Sequence, residues 1–361
     1  MLLAGRRGIV VWMGDYVQST CDKLFSRCSL LLQGLYERKF VVVHHWDADG
    51  IASAAILLRL YGDRVKACYI PPIEVYGFDW LEQVPVKTLV FLDYALPAKA
   101  YAALASRKNV EVVVFDHHHV ESIGAFEGYC NPIALKCGSE REWPSTSYLL
   151  YKIANSSRKL ADLALVGVAA DAGYQEWSVK LIEELARQTS TPIRVVWEAV
   201  EKLDACYRVG DRDCISYAVQ VLAKRGIEGV IEDTRFEQVV QNVKRVFAEY
   251  SGLEPVEVRD LGWTKLMVYE IITTYHIGSM VSKHLSRTRP SNIVVLIHSL
   301  DGVKVKVYVR SAKHAIGSRV CVCARNKNYY CVSKDRVAVL EFPPNRLPID
   351  FVEWLASCLR G

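Results

Sequence analysis

The sequence has 361 residues, of which 51% are hydrophobic and 24% are charged. A chain of this length buries a sizeable core, and the length favours two domains over one. No apolar run approaches the ~20 residues that a membrane-spanning helix needs, and the N-terminus lacks the apolar stretch and cleavage site of a secretory signal. We therefore expect a cytoplasmic globular protein.

The formal net charge is +5, and the basic excess lies near the C-terminus. Residues 301–361 contain eleven Lys or Arg and five Asp or Glu, a net charge of +6, which leaves −1 for the rest of the chain. A basic region of this kind favours binding to a polyanion. A solvated charged surface has the same composition, so charge alone leaves both interpretations open.

The chain has eleven cysteines, a high number for a cytoplasmic protein. They are scattered and form no CxxC pairs, which argues against a zinc ribbon. We interpret them as small buried apolar residues. The alternative is a structural disulfide of the kind found in the cytoplasm of hyperthermophiles.

Residues 1–38 comprise an N-terminal leader, up to Trp12, and a first amphipathic helix from Asp15 to Arg38. Strands and helices then alternate, and the strands are almost continuously apolar, which indicates a sheet covered on both faces. The predicted strands are Phe40–His45, Val65–Ile70, Thr88–Tyr94 and Val110–Phe115, and the helices between them are Ile51–Tyr61 and Ala98–Lys108. This order predicts an α/β fold with a doubly wound parallel sheet.

Two further helices, Ser145–Ser156 and Leu160–Ala172, complete a first domain that we place at residues 39–185. Helical periodicity with higher polarity predicts a helical connector at residues 186–255. A smaller C-terminal α/β domain follows at residues 256–361. Its predicted elements are strands near Lys265–Ile271, Asn292–His298, Val303–Arg310 and Val337–Phe342, and a closing helix, Ile349–Leu359.

Two clusters of histidine and aspartate follow predicted strands. The first is His44-His45-Trp46-Asp47-Ala48-Asp49-Gly50, and the second is Asp116-His117-His118-His119. Ligands of parallel α/β sheets bind at the carboxyl ends of the strands, where both clusters fall. Carboxylates supply charge and imidazoles supply neutral nitrogen ligands, so these clusters predict a site for divalent metal ions.

Four motifs resemble those of the DHH phosphoesterase superfamily, in the order and at the spacing of that family. His45-x-Asp47-x-Asp49-Gly50 resembles its first motif, and Asp93, at the end of Val90-Phe91-Leu92-Asp93, resembles the second. Asp116-His117-His118 matches the motif that names the family, and Gly167-Val168-Ala169-Ala170-Asp171 resembles the fourth. The motifs lie between residues 40 and 173, over a third of the chain.

The resemblance implies a two-metal site and a role for each motif residue. One ion is held by His45, Asp47 and Asp93, and the other by Asp49, Asp93, His117 and Asp171. His118 faces the scissile phosphate as a donor, and Asp116 orients the histidines. Mixed oxygen and nitrogen ligands suit Mn²⁺, our first assignment, and Mg²⁺ as the alternative.

The C-terminal region partly resembles the substrate-binding domain of RecJ-like members, with Arg310 in the place of a family arginine. The family has a glycine-rich loop that ends in histidine where this chain has Arg325-Asn326-Lys327-Asn328-Tyr329-Tyr330. This segment has no glycine for close backbone approach to a phosphate. We expect it to bind single-stranded nucleic acid instead, together with Arg310, in a groove between the two domains. Arg310, Arg325 and Lys327 would supply charge, and Tyr329 and Tyr330 would stack on bases.

Three functions are compatible with these motifs. The first is a RecJ-like, metal-dependent phosphodiesterase that hydrolyses single-stranded DNA, RNA or short oligonucleotides. The second is a replication-complex protein of the same superfamily that associates with GINS and the helicase. The third is a phosphoesterase for pyrophosphate or a cyclic dinucleotide. The complete set of metal ligands favours an enzyme, whereas the altered C-terminal loop favours the binding protein.

Overall fold

A computed structural model describes residues 13–73, 77–81, 87–300, 304–344 and 346–360, with side chains from residue 21 onwards except that of Asp79. The leader that we expected up to Trp12 lies outside these residues. The chain divides into two compact units. The first runs to Tyr207 and includes Asp211–Phe236, and the second comprises Arg208–Gly210 and the chain from Glu237 onwards.

The first unit contains a five-stranded parallel sheet with the strand order β2-β1-β3-β4-β5. Its strands are β1 (Phe40–His44), β2 (Val65–Tyr69), β3 (Thr88–Leu92), β4 (Glu111–Phe115) and β5 (Tyr129–Cys130). Its helices are α1 (Met13–Gly34), α2 (Ala48–Tyr61), α3 (Ala98–Lys108), α4 (Thr146–Ile153), α5 (Ala161–Ala172), α6 (Val179–Thr189), α7 (Ile193–Arg208) and α8 (Arg212–Glu232). The predicted parallel sheet is confirmed, and β5 is an addition.

The order of the strands reverses beside β1. The chain leaves β1 for β2 on one side of the sheet and leaves β3 for β4 on the other, so right-handed crossovers place α2 and α3 on opposite faces. Between β1 and β3 the sheet therefore has a switch point, at which the carboxyl ends of two strands open onto one crevice. Both strands end in residues of the motifs described above.

Helix α2 is buried along most of its length because small residues alternate with aliphatic ones in Ile51-Ala52-Ser53-Ala54-Ala55-Ile56-Leu57. Arg59, in its last turn, forms a bidentate ion pair with Asp162 at the start of α5, with distances of 2.6 and 3.1 Å. The same guanidinium donates to the carbonyl groups of Leu222 and Ala223 in α8. One partly buried arginine thus fixes α5 and α8 against the helix that begins at the motif.

The second unit contains a six-stranded sheet with the order β10-β11-β9-β8-β7-β6, which is antiparallel except between β7 and β8. Its strands are β6 (Glu257–Asp260), β7 (Lys265–Ile272), β8 (Ile293–Leu300), β9 (Lys304–Ser311), β10 (Tyr330–Lys334) and β11 (Val337–Phe342). Its helices are α9 (Thr234–Ser251), α10 (Gly278–Thr288), α11 (Gly317–Asn326) and α12 (Phe351–Arg360). Alternate residues of β8 and β9 pack against α11 and α12 in one apolar core.

The segment that we expected to connect two domains, residues 186–255, is helical but is divided between the units. Helices α7 and α8 belong to the first unit, whereas almost all of α9 belongs to the second. Buried apolar side chains on α7 and α8, such as Leu203 and Leu222, explain the difference, because they extend the core of the first unit. Among the described residues, no helix has both the length and the apolar character of a membrane span.

Ten of the eleven cysteines form disulfides, so our interpretation of them as reduced core residues was wrong. The bonds join Cys21 to Cys137, Cys28 to Cys130, Cys206 to Cys214, Cys321 to Cys331 and Cys323 to Cys358, and only Cys68 is free. Four of the five link segments that are ten or more residues apart. Such partners meet only through the tertiary fold, so a scattered sequence pattern does not reveal them.

Candidate metal centre

The motif residues stand one step beyond the ends of β1, β3 and β4. At each end the sheet's hydrogen bonding continues by one amide: His45 donates to the carbonyl of Leu92 at 3.1 Å, and Asp93 to that of Phe115 at 3.0 Å. Asp116 donates in the same way to the carbonyl of Cys130, also at 3.0 Å. The sheet therefore fixes the backbone from which the side chains project, as a site with defined geometry requires.

Asp47 and Asp49 lie in the turn that starts α2. The Asp47 side chain is the N-terminal cap of the helix and accepts from the amide of Gly50 at 3.0 Å. A Cβ atom on Gly50 would lie 2.3 Å from the carbonyl oxygen of His45, so the turn has no room for a side chain there. Glycine thus lets the chain fold back closely enough to place both aspartates beside His45.

The Asp49 carboxylate is fully buried and is held by the N-terminus of α4. It accepts from the amides of Thr146 at 2.7 Å and Ser147 at 3.0 Å, two of the unpaired donors that begin a helix. Gly167 on α5 lies against the same carboxylate, where a Cβ atom would meet Asp49 Oδ1 at 2.0 Å. Asp49 is therefore confined on two sides.

Asp93 lies at the centre of the cluster. Its backbone is left-handed, with φ 59°, a conformation that aspartate tolerates better than most residues. Its carboxylate is 1% exposed, and Oδ1 accepts from the Thr146 hydroxyl at 3.1 Å. Oδ1 also lies 3.5 Å from His117 Nε2, and Oδ2 lies 3.9 Å from His45 Nδ1. The two oxygens thus face different histidines.

The second cluster divides its histidines between two directions. His117 Nδ1 lies 3.3 Å from the carbonyl oxygen of Trp143, and its Nε2 lies 3.0 Å from Asp171 Oδ2. His118 Nδ1 lies 2.8 Å from Asp116 Oδ1, which leaves its Nε2 away from that contact. The His118 side chain is 39% exposed, more than that of His117 at 10%. His117 belongs to the floor of the site and His118 to its open side.

Three groups of side chains bring ligand atoms within 4.8 Å of one another, and Asp93 is common to all three. The groups are His45, Asp47 and Asp93; Asp49, Asp93, His117 and Asp171; and Asp93, His117 and His118. The first two have the membership that the family resemblance implies. The third offers His118 as a ligand instead of a phosphate donor, so its role stays a prediction.

The electrostatics of the cluster reflect an excess of carboxylates. Burial, with the nearby Asp171 carboxylate, raises the pKa of Asp49 to about 6. Burial and the neighbouring carboxylates also raise the pKa of Asp93 well above its usual range. Burial alone would lower the pKa of His117, but Asp171 and Asp93 outweigh it and hold that pKa well above the usual value. The cluster thus favours added positive charge.

The other two histidines beside the motifs have no such surroundings. His44 is fully buried, its Nδ1 lies 2.7 Å from the carbonyl oxygen of His45, and burial lowers its pKa to about 4. His119 is exposed and lies 3.5 Å from Glu140. Neither belongs to a group of possible metal ligands among the described residues.

Several supporting residues could not be found from the motifs. The Asp204 carboxylate, on α7, accepts from the amide of Ala48 at 3.1 Å and so holds the first turn of α2. Asn131 donates to the carbonyl of His118 at 3.0 Å. Neither Asn131 nor Asp204 belongs to any of the four motifs, and Asp204 lies 155 residues beyond Asp49 in the chain.

The five residues expected to bind nucleic acid all lie in the second unit. Arg310 ends β9 half-buried, and Arg325 and Lys327 are exposed at the end of α11. Tyr330 begins β10 and is 57% exposed. Tyr329 differs from the expectation: its ring packs edge-on against Phe342 and Trp354, at 5.2 and 5.4 Å between centroids. The Tyr329 ring packs against the core of the second unit, so we no longer include Tyr329 among the residues expected to bind nucleic acid.

The residues present fit a pair of divalent ions. Asp93 Oδ2 is buried and has no hydrogen-bond partner among the described residues, although a buried carboxylate oxygen normally has one. This atom faces the group of His45 and Asp47, where a cation would satisfy it. Carboxylate oxygens with one or two imidazoles per ion suit Mn²⁺ and Mg²⁺.

Residues 39–168 match the model of the DHH family, N-terminal domain. No curated protein matches the sequence. The match takes in the motifs at His45, Asp93 and His117, and it ends three residues before Asp171.

Solved structures share the fold. A DHH-domain protein described as a member of a family of ribosomal proteins is 13% identical, with a TM-score of 0.68 over 95% of this chain and 92% of its own. Exonuclease RecJ bound to manganese is 19% identical, with a TM-score of 0.64 over 94% of each chain. RecJ from Thermus thermophilus in complex with Mn²⁺ is also 19% identical, with a TM-score of 0.67; the match covers 94% of this chain and 55% of that one. Residues 39–168 therefore resemble the N-terminal domain of the DHH family, and the chain shares its fold with the RecJ structures.

Proposed function

We propose that this chain is a two-metal phosphodiesterase that hydrolyses single-stranded nucleic acid or short oligonucleotides. The observation that carries the proposal is the shared position of Asp93 between the group of His45 and Asp47 and the group of Asp49, His117 and Asp171. A carboxylate with one oxygen toward each group is suited to bridge two ions. The RecJ structures that share the fold contain Mn²⁺ or Mg²⁺, which supports divalent ions as the metal.

Two divalent ions held in this place would supply Lewis-acid charge for the phosphate and an acidified water as nucleophile. The protein's own part is to hold the ligands rigidly, and the amides of Thr146, Ser147 and Gly50 do so. These amides leave Asp47 and Asp49 with further oxygen lone pairs for a cation.

His118 is the residue that we propose to contact the phosphate. Its Nδ1 is paired with Asp116, so its Nε2 is the atom available on the open side of the cluster. Asp116 is fully buried, and the pKa of its carboxyl is lowered, against the effect of burial, mainly by the His118 imidazole. Through this contact Asp116 orients the His118 ring, so that Nε2 is placed to contact a phosphate oxygen or the leaving group.

The choice of a nucleic-acid substrate depends on the second unit. Arg325, Lys327 and Tyr330 are exposed and close together in the chain. Basic side chains of this kind bind phosphate, and an exposed aromatic ring stacks on a base. Residues 301–361 carry a net charge of +6, and positive charge attracts the phosphates of a polyanion. Association with replication proteins such as GINS remains the second proposal, and the following experiment distinguishes it.

The test is hydrolysis of end-labelled single-stranded DNA and RNA with Mn²⁺, Mg²⁺ or EDTA. We expect degradation that depends on the metal, and loss of both activity and one or both bound ions in Asp93→Asn, because a neutral amide replaces the shared anionic oxygen. Asp63→Asn is the matched control, since Asp63 is an exposed carboxylate of the first unit outside the cluster.

The outcomes separate the three functions. Full hydrolysis by Asp93→Asn would overturn the two-metal assignment. Cleavage of pyrophosphate or a cyclic dinucleotide without cleavage of oligonucleotides would indicate a small-molecule enzyme. Metal binding without hydrolysis of any of these substrates, combined with capture of purified GINS, would favour the replication-complex role.

A further inference from the structure

Two disulfides join α1 to the end of β5 and to the segment that follows it. Cys28 is bonded to Cys130, in β5 itself, and Cys21 is bonded to Cys137. The partners are 102 and 116 residues apart in the chain. Cys28 and Cys130 are fully buried, whereas Cys21 and Cys137 are half-buried. The helix is thus joined at two points, about two turns apart, to one short segment, residues 130–137.

Non-covalent contacts continue the same attachment to residue 143. The ring of Phe25 stacks on Trp143, with 4.7 Å between centroids. Arg27 donates to the carbonyl of Tyr129 at 3.1 Å. Trp143 Nε1 donates to the carbonyl of Cys137 at 3.2 Å, so the segment is closed on itself beside the disulfide.

The attached segment, extended to residue 143, contacts both histidines of the Asp116-His117-His118 motif. The carbonyl of Trp143 lies 3.3 Å from His117 Nδ1, which directs the other ring nitrogen toward Asp93 and Asp171. Asn131 donates to the carbonyl of His118 at 3.0 Å. The carbonyl of Cys130 accepts from the amide of Asp116, so a disulfide cysteine is hydrogen-bonded to the motif itself.

We propose that Asn131 and Trp143 are positioning residues for the two histidines and that the disulfides Cys21–Cys137 and Cys28–Cys130 make the metal centre sensitive to the redox state. The proposal rests on the proposed function, because it concerns the same metal centre. When the disulfides are intact, the segment holds the His117 ring in the orientation that a metal ligand needs. When they are reduced, only weak contacts connect the segment to α1, and the ring loses this constraint.

The reduction is a simple two-electron step. A trialkylphosphine converts each disulfide to two thiols and becomes the phosphine oxide, with the oxygen and both protons supplied by one water molecule. Cys21–Cys137 reacts first because it is the more exposed bond, and Cys28–Cys130 follows once the segment loosens.

The test measures Mn²⁺ binding to the full chain by electron paramagnetic resonance, after the phosphine has been removed. We expect the oxidised protein to bind a spin-coupled pair of ions. Reduction weakens binding about 10- to 100-fold, the usual effect of losing a group that orients a metal ligand. Reoxidation by glutathione disulfide restores the coupled spectrum. A purely structural role would not change this spectrum at a temperature where circular dichroism shows a folded chain.

Paired substitutions assign the effect to particular bonds. Cys21→Ser with Cys137→Ser weakens Mn²⁺ binding as reduction does, whereas Cys323→Ser with Cys358→Ser, which removes the bond between α11 and α12, leaves it unchanged. Equal Mn²⁺ binding by the oxidised, reduced and Cys21/Cys137 forms overturns this inference and leaves the proposed function intact. If even the oxidised protein binds no Mn²⁺, the proposed function falls together with the inference.

Discussion

The substitution Gly167→Ala tests the packing around the candidate metal centre most directly. Gly167 lies in the interior of α5, and an added Cβ atom would stand 2.0 Å from Asp49 Oδ1 and 1.9 Å from Ser147 Oγ. Ordinary contact begins near 3.4 Å, so the carboxylate must move by more than about 1 Å. Asp49 cannot move this far and keep its hydrogen bonds to Thr146 and Ser147, which are 2.7 and 3.0 Å long.

The expected effect on stability is small, and the effect on function is large. Overpacking costs ~1–3 kcal/mol, and replacing a helical glycine by alanine returns ~1 kcal/mol, so the free energy of unfolding falls by about 0–2 kcal/mol. Misplacement of a ligand by about 1 Å lowers the rate of a positioned reaction ~10²-fold. We therefore expect a folded variant that binds Mn²⁺ weakly and has little activity.

The assays separate these two effects. Urea unfolding in EDTA measures the stability of the metal-free chain, because bound metal would add its own stabilisation. Calorimetry with Mn²⁺ measures the affinity. Gly34→Ala is the matched control: Gly34 also lies in a helix, and a Cβ atom there would meet only Arg38, at 4.0 Å. Wild-type Mn²⁺ affinity in Gly167→Ala would refute the assignment of Asp49 as a ligand held against α5.

Two more substitutions test the roles of single residues. His118→Ala should keep both Mn²⁺ ions and lower turnover ~10²–10³-fold, the usual effect of losing a donor to the transition state; loss of an ion, measured by elemental analysis, would make His118 a ligand. Tyr329→Ala should destabilise the chain by ~2–3 kcal/mol, somewhat less than for a fully buried aromatic ring. Tyr330→Ala should keep stability but weaken oligonucleotide binding by ~1–3 kcal/mol, and fluorescence titration that shows wild-type binding would exclude the stacking role.

The sequence predicted the parallel sheet and the residues at its carboxyl edge because these depend on local signals. Apolar runs define β1, β3 and β4, and the charged residues that end each run necessarily meet at one edge. The apolar runs do not specify which strands are neighbours in the sheet. The close approach of Asp93 to both histidine clusters was therefore implied by the family resemblance and not by the local pattern. The structure adds the reason, which is the switch point between β1 and β3.

The sequence could not predict the contacts that depend on residues far apart in the chain. The disulfides Cys21–Cys137 and Cys28–Cys130, the Asp204 contact with α2 and the Trp143 contact with His117 all join segments with no shared periodicity. Tyr329 was assigned to a binding surface because adjacent tyrosines beside basic residues resemble one. Tyr329 instead lies in the turn between α11 and β10, where its amide donates to the carbonyl of Ala324 and its ring packs against Phe342 and Trp354, whereas Tyr330 begins the strand.

The motifs alone do not hold the candidate metal centre together. Asp49 depends on amides of α4, the first turn of α2 depends on Asp204 of α7, and His117 depends on the carbonyl of Trp143. None of these three supports is itself a motif residue. A chain can therefore retain every motif residue and still lose metal affinity through a change in α7 or in the disulfide-linked segment. For this fold, intact motifs are evidence for a possible metal site, and the supporting contacts decide how firmly the ions are held.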